Sequence, residues 1–225
     1  MKKLIFILLP LLSLPLLFQS TPTEIIKLKT FDALIKEQEP SGNFVILNIT
    51  EEDVEREGGY PLPRERLADI QLEILGKGAL GVGWVISFPQ ADRLGGDSRF
   101  AASLGYAPSV IATFENGKGV YPKTTGTVIK GPDVGGLQSS GIKENYYLYD
   151  NVTQGVAIAP TEVDQLVRRI PLLLKNPNGW SASFGTQVLK SLTNTPTYII
   201  TTNDNGVQEI AVRGIPPVKT DSLGR

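Results

Sequence analysis

Apolar and polar positions alternate along this chain at two different periods, and the switches between them mark out its elements. After a short helix expected from Glu24 to Lys36, Phe44-Val45-Ile46-Leu47-Asn48-Ile49 is a nearly continuous, β-branched apolar run. Its pattern predicts a strand buried on both faces. Pro63 then stands where the first turn of a helix tolerates proline, and Leu67, Ile70 and Ile74 beside Ala68, Leu72 and Leu75 make two adjacent apolar rows at helical spacing. Gly76 and Gly78 end that helix, and a second strand is expected over Leu80–Phe88. Asp97 is placed to N-cap a helix carrying Phe100, Ala101 and Leu104, which stops at Gly105 before a third strand over Ser109–Phe114. Strands alternating with helices predict parallel β-α-β crossovers with helices on the sheet's faces.

Downstream the pattern changes. Asn116 to Gly141 is rich in glycine and has no helical period, which predicts a long loop or a few irregular strands. Thr153–Ala159 and Leu166–Leu174 read as strands around an Asp164-Gln165 turn, and Trp180–Leu192 as a helix. Tyr198–Thr202 and Val207–Val212 form a hairpin closed over Asn203-Asp204-Asn205-Gly206. The expected fold class is therefore α/β, a mixed and largely parallel sheet flanked by helices, with an antiparallel C-terminal part.

The N-terminus adds a targeting segment. Lys2 and Lys3 precede an uncharged stretch from Leu4 to Phe18, broken only by Pro10, Ser13 and Pro15. That is a positive n-region followed by an apolar h-region, so residues 1–21 form either a signal peptide or a retained signal anchor. Both export the body, residues 22–225, because positive flanks stay on the cytoplasmic side.

Composition narrows the chemistry. The 225 residues are 41% hydrophobic and 20% charged, which suits a globular body. Lys+Arg 22 against Asp+Glu 23 leaves a net charge of −1, so nucleic acid is not an expected partner. His 0 and Cys 0 remove Ser-His-Asp and Cys-His nucleophiles, imidazole or thiolate metal sites and disulfides. No cofactor is implied, and without the D-x-D-x-D-G calcium loop no metal is either.

Three motif matches have plainer readings. Gly76-Lys77-Gly78-Ala79-Leu80-Gly81 fits the dinucleotide pattern letter for letter, but there a strand leads into a helix, and here a helix leads into a strand. Ser140-Gly141-Ile142-Lys143 fits S-x-x-K, whose serine must start a helix, yet Gly141 and its surroundings favour a loop. Gly95-Gly96-Asp97-Ser98-Arg99 resembles the start of a cyclase signature and is explained by a turn and a helix cap. Trp84 and Trp180 are expected in the core.

Polar residues beside strand ends are the stronger candidates, since open α/β sheets bind ligands there. Glu51 follows the first expected strand, Asp92 and Asp97 follow the second, and Arg64 opens the long helix. These four are the candidate ligand-binding residues. Salt bridges and helix caps at a solvated rim are the plainer reading of the same residues.

Val45 to Glu52, Tyr60-Pro61-Leu62-Pro63-Arg64, Gly78 to Phe88, Asp97 and Asp164 to Leu172 together resemble the second type of CHASE domain. The likeness rests on Ile49-Thr50-Glu51, Pro61-Leu62-Pro63-Arg64, Phe88, Asp97 and Asp164-Gln165-Leu166-Val167-Arg168-Arg169-Ile170-Pro171-Leu172, in that order. Asn48 and Gly83-Trp84 depart from it, standing where the family usually carries Asp. The resemblance implies an extracytoplasmic sensory domain of a bacterial transmembrane receptor of adenylate or guanylate cyclase or histidine kinase type. It would be held in the inner membrane with its body in the periplasm. Asp221-Ser222-Leu223-Gly224-Arg225 looks like the segment leading to the family's last strands and membrane spans, so the domain is expected to be incomplete at this end, without a catalytic output module. The implied partners are an extracellular small molecule or physical stimulus and the membrane, and a homodimer is compatible with this picture. The alternatives are a secreted hydrolase using Ser140 with Lys143 or Asp97 with Glu51, and a stand-alone extracytoplasmic binding protein.

Overall fold

The computed structural model describes residues 20–36 and 39–225; the apolar segment Leu4–Phe18 lies outside them. The chain divides into two units, one made of Met1–Asn48 with Pro160–Arg168, the other of Ile49–Ala159 with Arg169–Arg225.

In the first unit the expected helix is present as α1, Thr21–Leu34. The Phe44–Ile49 strand is not. The backbone there is irregular and its side chains are exposed, with Ile46 85% accessible. No strand is found among the described residues of this unit, so the run has no ladder within it to join. Asp164-Gln165 does turn, with Gln165 at φ 65. The strand expected over Leu166–Leu174 begins only at Leu173. The Arg168 guanidinium is held by two carboxylates, donating at 2.7 Å from Nε and Nη2 to both oxygens of Asp32 and at 2.7 Å from Nη1 and Nη2 to both oxygens of Asp164.

The second unit opens with α2, Glu51–Arg56, and α3, Arg64–Gly76. Helix α3 ends as expected, with Gly78 at φ +93 just beyond it, and β1, Val82–Trp84, follows. This strand is shorter than predicted. Next come α4, Asp97–Ser103, and β2, Ser109–Val120, which runs past the expected end into the glycine-rich segment. That segment is largely ordered, and it contains β3, Gly126–Lys130. Its glycines permit close approach: a Cβ at Gly119 would lie 1.6 Å from the carbonyl oxygen of Ile142 on β4, Ile142–Lys143. After a 3-10 turn at Tyr147–Tyr149, β5 covers Thr153–Ala157. Strands β1 and β5 both pair in parallel with β2, and β4 joins its far half antiparallel.

Beyond β5, the expected helix from Trp180 is divided. Leu173–Asn176 and Gly179–Ala182 are β6 and β7 of a tight hairpin, and α5 is Phe184–Leu192 after Ser183. The β8–β9 hairpin, Thr197–Asn203 with Gly206–Val212, closes over the predicted turn. With β10, Val218–Lys219, and β3 it forms a second sheet in the order β10-β9-β8-β3, where β3 and β8 are parallel.

Two main cores follow. One gathers Leu67, Ala68, Trp84, Phe88, Phe100, Ile111 and Tyr149; the other gathers Leu173, Trp180, Tyr198, Ile200, Val207 and Ile210. Both tryptophans are buried, as expected. Phe100 is the hub of the first, edge-on to Trp84 at 5.3 Å and to Phe88 at 5.2 Å. Burying a side chain of that size contributes about 1.5–3 kcal/mol.

Candidate functional site

The buried face of α3 is Arg64, Leu67, Ala68 and Gln71, so two of its four buried positions are polar. Each has been given partners. Gln71 accepts from Trp84 Nε1 at 2.8 Å and donates to Ser109 Oγ at 2.9 Å, bridging the helix to β1 and β2. Arg64 enters a cluster with Asp92 and Asp97.

That cluster begins with a helix that cannot cap itself. Pro63 occupies the N-cap of α3 and has no side-chain acceptor. Asp92, in the connection after β1, takes the role: its Oδ2 accepts from the backbone N–H of Arg64 at 2.9 Å and of Gly96 at 3.3 Å, and its Oδ1 from that of Leu94 at 3.1 Å. Burial works to raise the Asp92 pKa, but the N–H groups of Arg64, Leu94 and Gly96 outweigh it and hold the carboxyl below its ordinary value. Asp97 is the first residue of α4, with Gly96 at the N-cap. Its carboxylate reaches away from its own helix, accepting from Asp92 N–H at 2.5 Å and from the Tyr149 hydroxyl at 2.6 Å. Burial, and then this donation to Asp97, push the Tyr149 phenol well above the usual range.

The Arg64 side chain lies 3.7 Å from Asp97 through Nε, donates from Nη1 to the Leu62 carbonyl at 3.2 Å and covers the Phe88 ring at 4.5 Å. Its Nε has no hydrogen-bond partner. Three of the four predicted residues, Arg64, Asp92 and Asp97, are thus brought together, and Glu51 is elsewhere, exposed at the start of α2. The three form a clasp holding the first turns of α3 and α4, with its polar capacity spent almost entirely on the protein. Tyr149 completes the clasp. The sequence carries no local sign of it, since it stands 52 positions from Asp97.

The Ser140/Lys143 pair has no helix: Ser140 lies in a loop with its N–H on Glu115 Oε1 at 2.8 Å, and Lys143 is on β4. Among the described residues there is no cluster of carboxylates able to hold a metal ion, and no helix long and apolar enough to cross a membrane. A separate cleft of about 570 Å³ opens at the amino ends of β2 and β5, walled by the last turns of α4 and α5. No expectation from the sequence pointed to it.

Over residues 5–222 the chain matches the CHASE2 domain, and it belongs to that family, whose members are extracellular sensory domains. No curated protein and no solved structure matches it.

Proposed function

We propose that this chain is the extracytoplasmic input domain of a bacterial transmembrane receptor whose output is a nucleotide cyclase or a histidine kinase. The observation that carries this reading is the family match, which spans nearly the whole chain. Lys2, Lys3 and the apolar Leu4–Phe18 support it as a signal anchor or signal peptide that sends residues 22–225 to the periplasmic side of the inner membrane. The domain would signal by holding two arrangements that a stimulus binds unequally. In this reading the body performs no chemistry of its own.

A phosphatase that works only outside the cytoplasm, fused after Arg225, should be active. Activity of a cytoplasm-only reporter at the same junction would overturn the export. Turnover of an ester, amide or phosphate substrate by the purified chain, abolished by Ser140→Ala or Asp97→Asn, would overturn the non-catalytic role and favour a hydrolase.

A further inference from the structure

The cleft at the amino ends of β2 and β5 is formed by the way α5 ends. Asn194 takes the left-handed conformation, φ 47, so the chain turns off the helix and leaves Ser191 and Asn194 on one wall. Asn151 and Thr153, entering β5, stand on the other. Among the described residues, none of these four side chains has a hydrogen-bond partner. Leu104 and Val152 add apolar surface to the lining.

Its charge is as informative as its shape. No acidic side chain lines the cleft, and Lys190 is the one ionisable residue on its wall. That ammonium is partly engaged outside the cleft: it donates to Thr125 Oγ1 at 2.6 Å and lies 5.3 Å from the Tyr198 ring centre, and neither residue belongs to the cleft. A cationic ligand would meet no carboxylate, and an anion would meet a single lysine that is already shared with Thr125 and the Tyr198 ring. The Asn151 and Asn194 carboxamides and the Thr153 and Ser191 hydroxyls line it beside Gln187, whose Oε1 already accepts from the Tyr198 hydroxyl at 3.3 Å, and these are groups that both donate and accept. Ligand hydroxyls match them in kind, while the apolar side chains of Leu104 and Val152 suit the C–H face of a ring. The volume falls within the range of small-molecule sites.

We infer that this cleft binds a small, uncharged, polyhydroxylated ligand of the sugar or polyol class. As the stimulus of a receptor this ligand rests on the sensory reading above; as an occupant of the cleft it does not.

The test uses the full chain, purified in a zwitterionic detergent free of sugar headgroups. Glucose, ribose, myo-inositol and trehalose are titrated by calorimetry, with inorganic phosphate and succinate as charged comparators. At least one neutral compound should saturate at millimolar concentration or below, and Asn151→Ala and Ser191→Ala should each weaken it about tenfold, the effect of one lost hydrogen bond. Because the chain has Cys 0, Ser191→Cys introduces a unique thiol, and the same compound should slow its alkylation. Failure of all four neutral compounds to bind, binding of the charged comparators alone, or binding indifferent to both alanine variants would overturn the inference. Binding that depends on the cleft, with no change of output when the compound is given to cells carrying the whole receptor, would keep the site and overturn the sensory role.

Discussion

Asp92 shows how one side chain can decide where a helix starts. Pro63 at the N-cap of α3 fixes the backbone but offers no acceptor, and a carboxylate from 28 residues away accepts the N–H of Arg64 instead. Asp92→Ala should therefore destabilise the domain by about 1–2 kcal/mol, the range for losing a cap, as read from urea unfolding. The effect has a pH signature. The folded carboxyl sits below its ordinary 3.8, so its stabilisation is complete above about pH 4 and is lost as the pH falls through the lower folded value. The gap between wild type and Asp92→Ala should narrow from pH 6 to pH 3; a constant gap would mean that the carboxylate's charge plays no part. The sequence made Arg64, Asp92 and Asp97 visible as polar residues near strand and helix ends. It could not show that they meet, because the cap, the capped N–H and Tyr149 come from three separate segments. Gln71 was hidden for a different reason: a polar residue on a buried helical face has no hydrophobic signature, and only its partners Trp84 and Ser109 account for it.

Elements whose instructions are local were legible, and those needing a distant partner were not. The β8–β9 hairpin carries its turn in Asn203-Asp204-Asn205-Gly206, and α3 ends on its own glycines. The β6–β7 hairpin had a comparable signal in Asn176-Pro177-Asn178-Gly179, but the apolar stretches on either side read as a longer strand and a longer helix. Leu166, Val167 and Ile170 look like a strand and are exposed, each more than 40% accessible. Arg168 between them is instead fixed by Asp32, which lies 136 positions away. This clamp joins α1 to the 160–168 segment. Arg168→Lys keeps the charge but not the planar fork that serves both carboxylates, so amide exchange across Thr21–Leu34 should accelerate. Unchanged exchange would show that the clamp does not hold the helix. Hydrogen bonds from Arg168 carry Asp164 down to about 2, so the clamp's contribution is complete above about pH 4 and is lost as the pH falls through 2. Strand β2 is tested by Gly119→Ala. The added Cβ would have to displace the Ile142 carbonyl, so β4 should detach from β2 at a cost on the order of 1–3 kcal/mol, seen as faster exchange at Ile142 and a lower unfolding midpoint. A variant as stable as wild type would mean that the two backbones separate freely.

At the scale of the larger unit, the question is whether its two cores behave as one. Leu173 and Leu174 are consecutive on β6 and point to different clusters, Leu173 to that of Trp180 and Tyr198, Leu174 to a small one with Ile142 and Val156. Val156 lies on β5, which pairs along β2, and Ile111 of β2 belongs to the core around Phe100. A continuous path of packed strands thus links the two, which predicts all-or-none unfolding. Trp180→Phe separates the possibilities. It opens a cavity in the second core and strips no hydrogen bond, since the indole N–H of Trp180 has no partner, and it leaves Trp84 as the sole tryptophan reporting on the first core. If the cores are coupled, the midpoint of the Trp84 fluorescence transition falls although the cavity is in the other core, and the far-UV circular dichroism curve superimposes on it. If they are independent, circular dichroism declines first as the second sheet melts, and Trp84 keeps its wild-type midpoint. Coincident transitions would also bear on signalling. Coupled cores would give a change at the walls of the cleft, where α4, α5, β2 and β5 converge, a packed route through β2, β5 and β6 to the second core.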